Sequence, residues 1–372
     1  MGGICTHVAA DPGAQERRSI EGVQRMASGS IKFNPLFPCS ISGYAGATLG
    51  AKKKQDRFIL LPELAPGVLY CGVCDGHAEE GGLIAERAAK SIPIELAAQL
   101  KWLSDGSYGT ERGLQQFETR ISDVFTDTFT KFQSVLAEEY ESQVVRPVEE
   151  LRIAMEIEHG VDIPKSFPMK GGTTATTIVV TDKYLAVAWV GDSRAVLCCI
   201  DEGGALTAHD LTSDHNVESS TKERERAEAK GGVVIGNRIC VDEAEGMVQV
   251  LRSLGDVPHH KNEIVTAIPE VTVLQIDPAH HAFVVVASDG VWGCFSSDHV
   301  VRRTYDELHA SLAAHGKDVS PLVMSSVLLK ACKKFEKEVE ESCQASGRQR
   351  DDVVVCILAV KDFNFQRKPL PI

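Results

Sequence analysis

The run Val68-Leu69-Tyr70-Cys71-Gly72-Val73-Cys74 is apolar throughout and stops abruptly at Asp75-Gly76-His77. Such a run reads as a buried strand. An Asp at the end of a strand is held in a fixed position and can carry a cation. The following Gly lets the backbone approach closely, so that its carbonyl can also serve as a ligand. His77, one residue on, is a candidate proton donor. Asp-Gly is also an ordinary turn, and the tripeptide alone does not separate the two readings. What separates them is repetition, because Asp56, Asp192, Asp289 and Asp351 also end or begin apolar runs.

The rest of the chain suggests sheets flanked by helices. Apolar residues at helical spacing mark 79–102, with Pro93 as a candidate break, and 113–145, with Leu114, Phe117, Ile121, Phe125 and Phe132 on one face. Strand-length runs follow at 171–180, 184–190 and 195–200, and their short links make them antiparallel neighbours. A polar helix over 217–230 ends at Gly231-Gly232. Strands return at 271–276, 283–287 and 353–360, with helices over 297–308 and 321–341. This order points to antiparallel sheets flanked by helices. We divide the chain into a tail at 1–38, one domain at 39–363 and a short tail at 364–372. The charged, Pro-bearing stretch 138–170 reads as an insertion or loop within the domain.

Composition removes several classes of function. A net charge of -13 argues against nucleic acid as a partner, because phosphate contacts need clustered Lys and Arg. No apolar run approaches the roughly 18 residues of a membrane span. The 11 cysteines are scattered, and Cys71 and Cys74, within one strand, point to opposite faces. They read as buried filling in a reducing, cytoplasmic setting, and no Cys or His spacing suits zinc.

Acids at the ends of several strands can converge at one end of a sheet sandwich. Uncompensated, they would repel strongly in a partly buried cleft. Hard divalent cations resolve that conflict, and oxygen-only ligation suits magnesium or manganese. Such ions bind phosphate and activate water, which points to a hydrolase of phosphate esters.

The resemblance is then specific. In order, the chain carries Gln55-Asp56, Asp75-Gly76-His77, Gly172-Thr173-Thr174-Ala175, Val190-Gly191-Asp192-Ser193-Arg194, Leu211-Thr212-Ser213-Asp214-His215, Arg252-Ser253-Leu254-Gly255-Asp256, Pro269-Glu270-Val271, Ala287-Ser288-Asp289-Gly290-Val291-Trp292 and Arg350-Asp351-Asp352. This set resembles the metal-dependent Ser/Thr protein phosphatases of type 2C, the PPM family, over roughly 40–362. The resemblance implies an α+β fold, a four-layer α-β-β-α sandwich of two central antiparallel sheets flanked by helices. It implies a monomer that acts on phosphoserine and phosphothreonine proteins by direct attack of metal-bound water, without a phosphoenzyme. It implies magnesium or manganese, two per site with a weaker third. Asp75 would bridge two metals, with the Gly76 carbonyl, Asp289 and Asp351 as further ligands. Asp56 would lie in the outer shell, His77 would be the general acid, and Asp192 would ligate the third metal.

Several positions depart from the family pattern. Ala51 stands where many members carry a phosphate-binding Arg, and Lys52, Lys53 and Lys54 are the candidate substitutes, without Arg's bidentate fork. Gln55 replaces the usual acid beside Asp56, and Leu251 the usual small residue. Gly293 replaces an acid after Trp292, which weakens the third-metal site. Asp352 replaces Asn, and Ala78-Glu79-Glu80 replaces glycines after the His. These departures motivate an alternative, a catalytically weakened or inactive binding protein on the same fold. Retention of Asp75, Asp289 and Asp351 argues for an active enzyme.

The N-terminus, Met1-Gly2-Gly3-Ile4-Cys5-Thr6, matches the N-myristoylation pattern at Gly2, with Cys5 as a palmitoylation candidate. The plain alternative is an unmodified tail. Acylation would make the protein peripheral on a membrane, cytoplasmic in compartment, and two acyl groups hold far better than one.

Overall fold

The computed structural model describes residues 39–45, 55–105, 111–142, 171–242, 246–313, 319–349 and 351–360. Gly2, Cys5, Ala51, Lys52, Lys53, Lys54, most of the 138–170 stretch and the 364–372 tail lie outside the described residues.

The chain opens with β1 (Cys39–Ala45), β2 (Arg57–Ala65), β3 (Val68–Cys74) and the two-residue β4 (Gly76–His77). Helix α1 (Gly81–Gln99) continues as a 3-10 turn over Leu100–Asp105, and α2 spans Glu111–Tyr140. Then come β5 (Gly172–Thr173), β6 (Ala175–Val180), β7 (Tyr184–Val190), β8 (Arg194–Ile200) and β9 (Leu206–Asp210). Helix α3 (Thr221–Ala229) leads to three short strands, β10 (Val233–Ile235), β11 (Arg238–Asp242) and β12 (Gly246–Val248). After β13 (Leu254–Gly255) and a 3-10 segment over Val257–Glu263 come β14 (Glu270–Gln275), β15 (His281–Ala287) and the single-turn α4 (Asp289–Trp292). Helices α5 (Ser297–Leu312) and α6 (Pro321–Ser346) precede the last strand, β16 (Val354–Val360).

Two five-stranded sheets form the centre, in the orders β1-β16-β15-β8-β9 and β14-β7-β6-β3-β2, with every pairing antiparallel. The alternation of each strand shows how they stack. On β3, Leu69, Cys71 and Val73 enter a core shared with Val284, Val286, Cys356 and Leu358 of the other sheet. Val68, Tyr70 and Cys74 face Ile84, Ile92, Phe125 and Phe129 of α1 and α2. On β16, Val355, Ile357 and Ala359 face Tyr305, Leu308, Leu328 and Phe335 of α5 and α6. The layers are therefore α-β-β-α, an α+β sandwich. A strand covered on both faces needs apolar side chains at every position, which is why β3 and β16 are uninterrupted apolar runs. Cys71 and Cys74 point to opposite faces, and both are buried.

Pro93 does not break its helix, in contrast to the expectation from sequence. A mid-helix proline costs about 3 kcal/mol or more. Here it is buried on the face that carries Ile92 and Leu96, and the burial of those side chains offsets the lost hydrogen bond.

A smaller lobe stands beside the sandwich. It comprises α3, β10, β11, β12 and the Val257–Glu263 segment around Val217, Ala227, Ile239, Val248, Leu251, Ile264 and Val265. Arg252 ties it down, with Nε and Nη2 donating to Glu223 of α3 at 3.0 and 2.6 Å and Nη2 to Glu270 of β14 at 3.1 Å.

Candidate metal centre

The strand ends converge where the sequence places its acids. Asp75 lies between β3 and β4, and its backbone is fixed from both sides. Its N–H donates to Thr174 Oγ1 at 3.1 Å, and its carbonyl accepts from Thr174 N at 2.8 Å and Thr173 Oγ1 at 2.9 Å. Gly76 is required by packing, because a Cβ there would lie 2.5 Å from the Gly81 carbonyl at the start of α1. Asp192 follows Gly191, whose φ of +96° turns the chain from β7 into β8. Its Oδ2 accepts from Asn216 Nδ2 at 3.2 Å. Asp289 opens α4 at the end of β15, and Asp351 precedes β16.

Asp75, Gly76, His77, Asp192, Asp289 and Asp351 line one cleft of about 430 Å³. Asp56 is buried behind them, and its Oδ2 has no hydrogen-bond partner. Asp352 does not line this cleft; its Oδ2 accepts from Gln55 N at 2.9 Å and so ties the start of β2 to the start of β16.

Burial raises the pKa of Asp56, Asp75, Asp192, Asp289 and Asp351, and repulsion among the carboxyls adds to it. Asp56 is pushed up to about 7 by burial against hydrogen bonds with Asp75 and Ser288, with Asp352 and Asp351 adding repulsion. Asp75 stands well above the usual carboxylate range through burial and the charges of Asp56, Asp289 and Asp192. Burial and Asp289 lift Asp192 to about 6, while burial and Asp351 raise Asp289. Asp351 is likewise raised, chiefly by burial. Five carboxyls in one place cannot all ionise without positive charge among them. The orphaned Asp56 oxygen and the all-oxygen donor set fit hard divalent cations such as magnesium or manganese. Among the described residues, no group of three or more His, Cys, Asp or Glu side chains is arranged to hold a metal ion by itself.

His77 Nε2 lies 2.7 Å from Asp256 Oδ2. Burial disfavours the charged ring, but the Asp256 carboxylate and its hydrogen bond outweigh this and raise the His77 pKa. Asp256 in turn is held down to about 2, burial being overcome by His77 and by Ser253 Oγ, which donates at 2.7 Å. The loop that presents Asp256 is built for it. Gly255 has φ +83°, and Gln133 of α2 holds it with two hydrogen bonds of 2.8 Å. A Cβ on Gly172 would lie 2.1 Å from Asp256 Oδ2. The sequence reading gave no role to Asp256, Ser253 or Gln133. The Arg-Ser-Leu-Gly-Asp motif was the available signal for the first two, whereas nothing local marks Gln133.

At the rim, Ala78 has φ +61°, a left-handed conformation that glycine adopts more easily. Its carbonyl accepts from Gln55 Nε2 at 2.5 Å. Gly293, at the end of α4, brings no side chain; its N–H donates to the Asp289 carbonyl at 2.7 Å and its carbonyl accepts from Arg348 Nη1 at 2.8 Å. Arg194 is engaged by both oxygens of Asp214 at 2.6 and 2.7 Å.

A model of the family described as "Protein phosphatase 2C" matches residues 111–338. Asp56, Asp75 and Asp351 fall outside that match and are joined to Asp192 and Asp289 by the fold. "Protein phosphatase 1L" of Bos taurus is 30% identical over 258 residues, 68% of this chain and 60% of its own length. "Probable protein phosphatase 2C 73" of Arabidopsis thaliana is 28% identical over 306 residues, 78% of this chain and 70% of its own. The chain thus spans less than two thirds of the bovine relative's length. Among solved structures, a serine-threonine phosphatase 2C from Toxoplasma gondii has a TM-score of 0.63 at 18% identity, covering 87% of this chain and 96% of that one. At that identity the likeness speaks for the fold alone.

Proposed function

This chain belongs to the protein phosphatase 2C family, and from that premise we propose that it is a metal-dependent phosphatase of phosphoserine and phosphothreonine proteins. The observation that carries the reading is the convergence of Asp75, Asp192, Asp289 and Asp351 on one cleft, with Asp56 buried behind. Magnesium or manganese, two ions with a weaker third at Asp192, would neutralise these acids, draw in the phosphoryl oxygens and activate water. Asp75, the Gly76 carbonyl, Asp289 and Asp351 are the groups that would hold them, and Asp56 would orient solvent from behind. His77 donates a proton to the departing Ser or Thr oxygen, and Asp256 keeps its ring aimed and charged for that task. No phosphoryl group passes through the chain itself. Nothing observed favours the decayed, non-catalytic alternative.

The test is phosphate release from a phosphoserine peptide by protein dialysed against chelator. Activity is expected to vanish and to return with manganese or magnesium. Undiminished turnover after chelation would remove the metal from the account.

We further propose that Gly2 and Cys5 carry acyl groups that hold the protein on a membrane surface as a monomer. No helix among the described residues is long and apolar enough to cross a membrane. Fractionation of Gly2→Ala and Cys5→Ser variants tests this. Gly2→Ala should leave the membrane fraction entirely and Cys5→Ser only in part, because a single acyl chain binds marginally. A Gly2→Ala protein that pellets as the unaltered one does would refute the anchor.

A further inference from the structure

The cleft has two unlike walls. One is the acidic floor at the strand ends. The other is the edge of the small lobe, where Arg238, Met247, Val248, Gln249 and Val250 line the opening. Arg238 is the first residue of β11 and pairs with Ile235 of β10 across a turn at Gly236, whose φ is +64°. The next residue, Ile239, is fully buried in the lobe core. Strand alternation therefore points Arg238 away from that core, to the cleft side.

Among the described residues lining the cleft, Arg238 is the only Arg or Lys. It is exposed, and among the described residues its side chain makes one hydrogen bond, a long one from Nη1 to the Met247 carbonyl at 3.4 Å. Other arginines near the site are committed. Arg194 is taken by Asp214, and Arg252 by Glu223 and Glu270. Arg252 joins α3 of the lobe to β14 of the sandwich, and Arg238 stands on a paired strand of that lobe. A weakly engaged guanidinium lining the same cleft as Asp75, Asp192, Asp289 and Asp351 has the wrong sign to be a spectator. Its planar fork matches the oxygens of a phosphoryl group, and an ester dianion entering an acid-lined cleft needs donors on the side facing away from the acids.

We infer that Arg238 grips the phosphoryl oxygens of the substrate from the lobe wall. This rests on the reading of the cleft as a phosphatase site and assigns the chain's own cation for that anion. Because Arg238 meets the group common to all substrates, its effect is the same whatever flanks the phosphoresidue.

The experiment uses the full chain with manganese. Steady-state rates are measured on an aryl phosphate and on phosphoserine peptides with neutral or acidic flanks, and inorganic phosphate is titrated as inhibitor. Arg238→Ala should lower kcat/KM about tenfold or more on all three and weaken phosphate inhibition by a similar factor, the scale for one charge-assisted partner. Arg238→Lys should recover part of both. A loss confined to the acidic-flanked peptide would overturn the inference, since Arg238 would then read a neighbouring acid. So would equal losses in the Ala and Lys variants accompanied by a lower melting temperature, the mark of a structural role. If the unaltered chain shows no manganese-dependent turnover, the phosphatase reading itself fails. Calorimetric titration of inorganic phosphate in manganese then decides the inference separately. Weaker binding by Arg238→Ala sustains it, while unchanged binding, or none by the unaltered chain, ends it.

Discussion

His77 Nε2 and Asp256 Oδ2 stand 2.7 Å apart across a separation of 179 residues, with the carboxylate almost wholly buried. The pair gives the His77 ring a fixed direction. Replacing Asp256 with Asn keeps a hydrogen-bonding group but removes the charge that favours the protonated ring. Hydrolysis of a phosphoserine peptide, whose leaving oxygen needs a proton, should slow by about tenfold or more. An aryl phosphate, whose leaving group needs less help, should slow much less. Equal losses on both substrates would show that Asp256 only supports the loop.

Ala78 sits at φ +61° immediately after His77. A left-handed conformation costs a non-glycine residue roughly 1–2 kcal/mol. Ala78→Gly relieves that cost but adds freedom to the unfolded chain, for a net gain of about 0.5 kcal/mol. A melting temperature raised by about 1–2 °C is expected. A fall would show that the Ala78 methyl group makes a contact worth more than the strain.

Far from the cleft, Glu307 of α5 is largely buried against Lys330 and Lys334 of α6, at 2.7 and 2.6 Å. Hydrogen bonds from Lys330 and Lys334 bring its pKa from 4.5 down to about 2. A carboxylate depressed in the folded state contributes stability above its unfolded pKa and loses it as pH falls through the folded one. The window is therefore pH 4.5 down to about 2. Both lysines are well exposed, so solvent screening reduces the effect to about 1 kcal/mol. Glu307→Gln should lower stability by that amount at pH 7 and flatten the acid limb of a denaturation series. An unchanged limb would mean that the pair is fully screened.

The sandwich was legible because its inner strands are covered on both faces, so β3 and β16 read as unbroken apolar runs. The acids were legible for the same reason: Asp75, Asp289 and Asp351 stand out where such runs stop or start. Of the lobe only the helix α3 was legible; its strands were not, since Val233 and Ile235 are exposed and the strands are only three to five residues long. Asp256 and Gln133 were silent because their partners, His77 and Gly255, are remote in sequence and nothing local announces a buried pairing. Arg238 was hidden likewise, its meaning set by a wall that only the folded lobe supplies. The roles given to Lys52, Lys53 and Lys54, and to Gly2 and Cys5, fall on residues outside those described.

The central claim is that Asp75 and its neighbours hold the cations that make this cleft hydrolytic. The most direct measurement compares unaltered protein and Asp75→Asn for phosphoserine-peptide hydrolysis across a manganese titration. The account predicts a loss of at least about 10²-fold in rate, the scale for removing a principal electrostatic group, with saturation displaced to higher manganese. An Asp75→Asn protein within about threefold of the unaltered one, on that same scale and with the same manganese dependence, would contradict it.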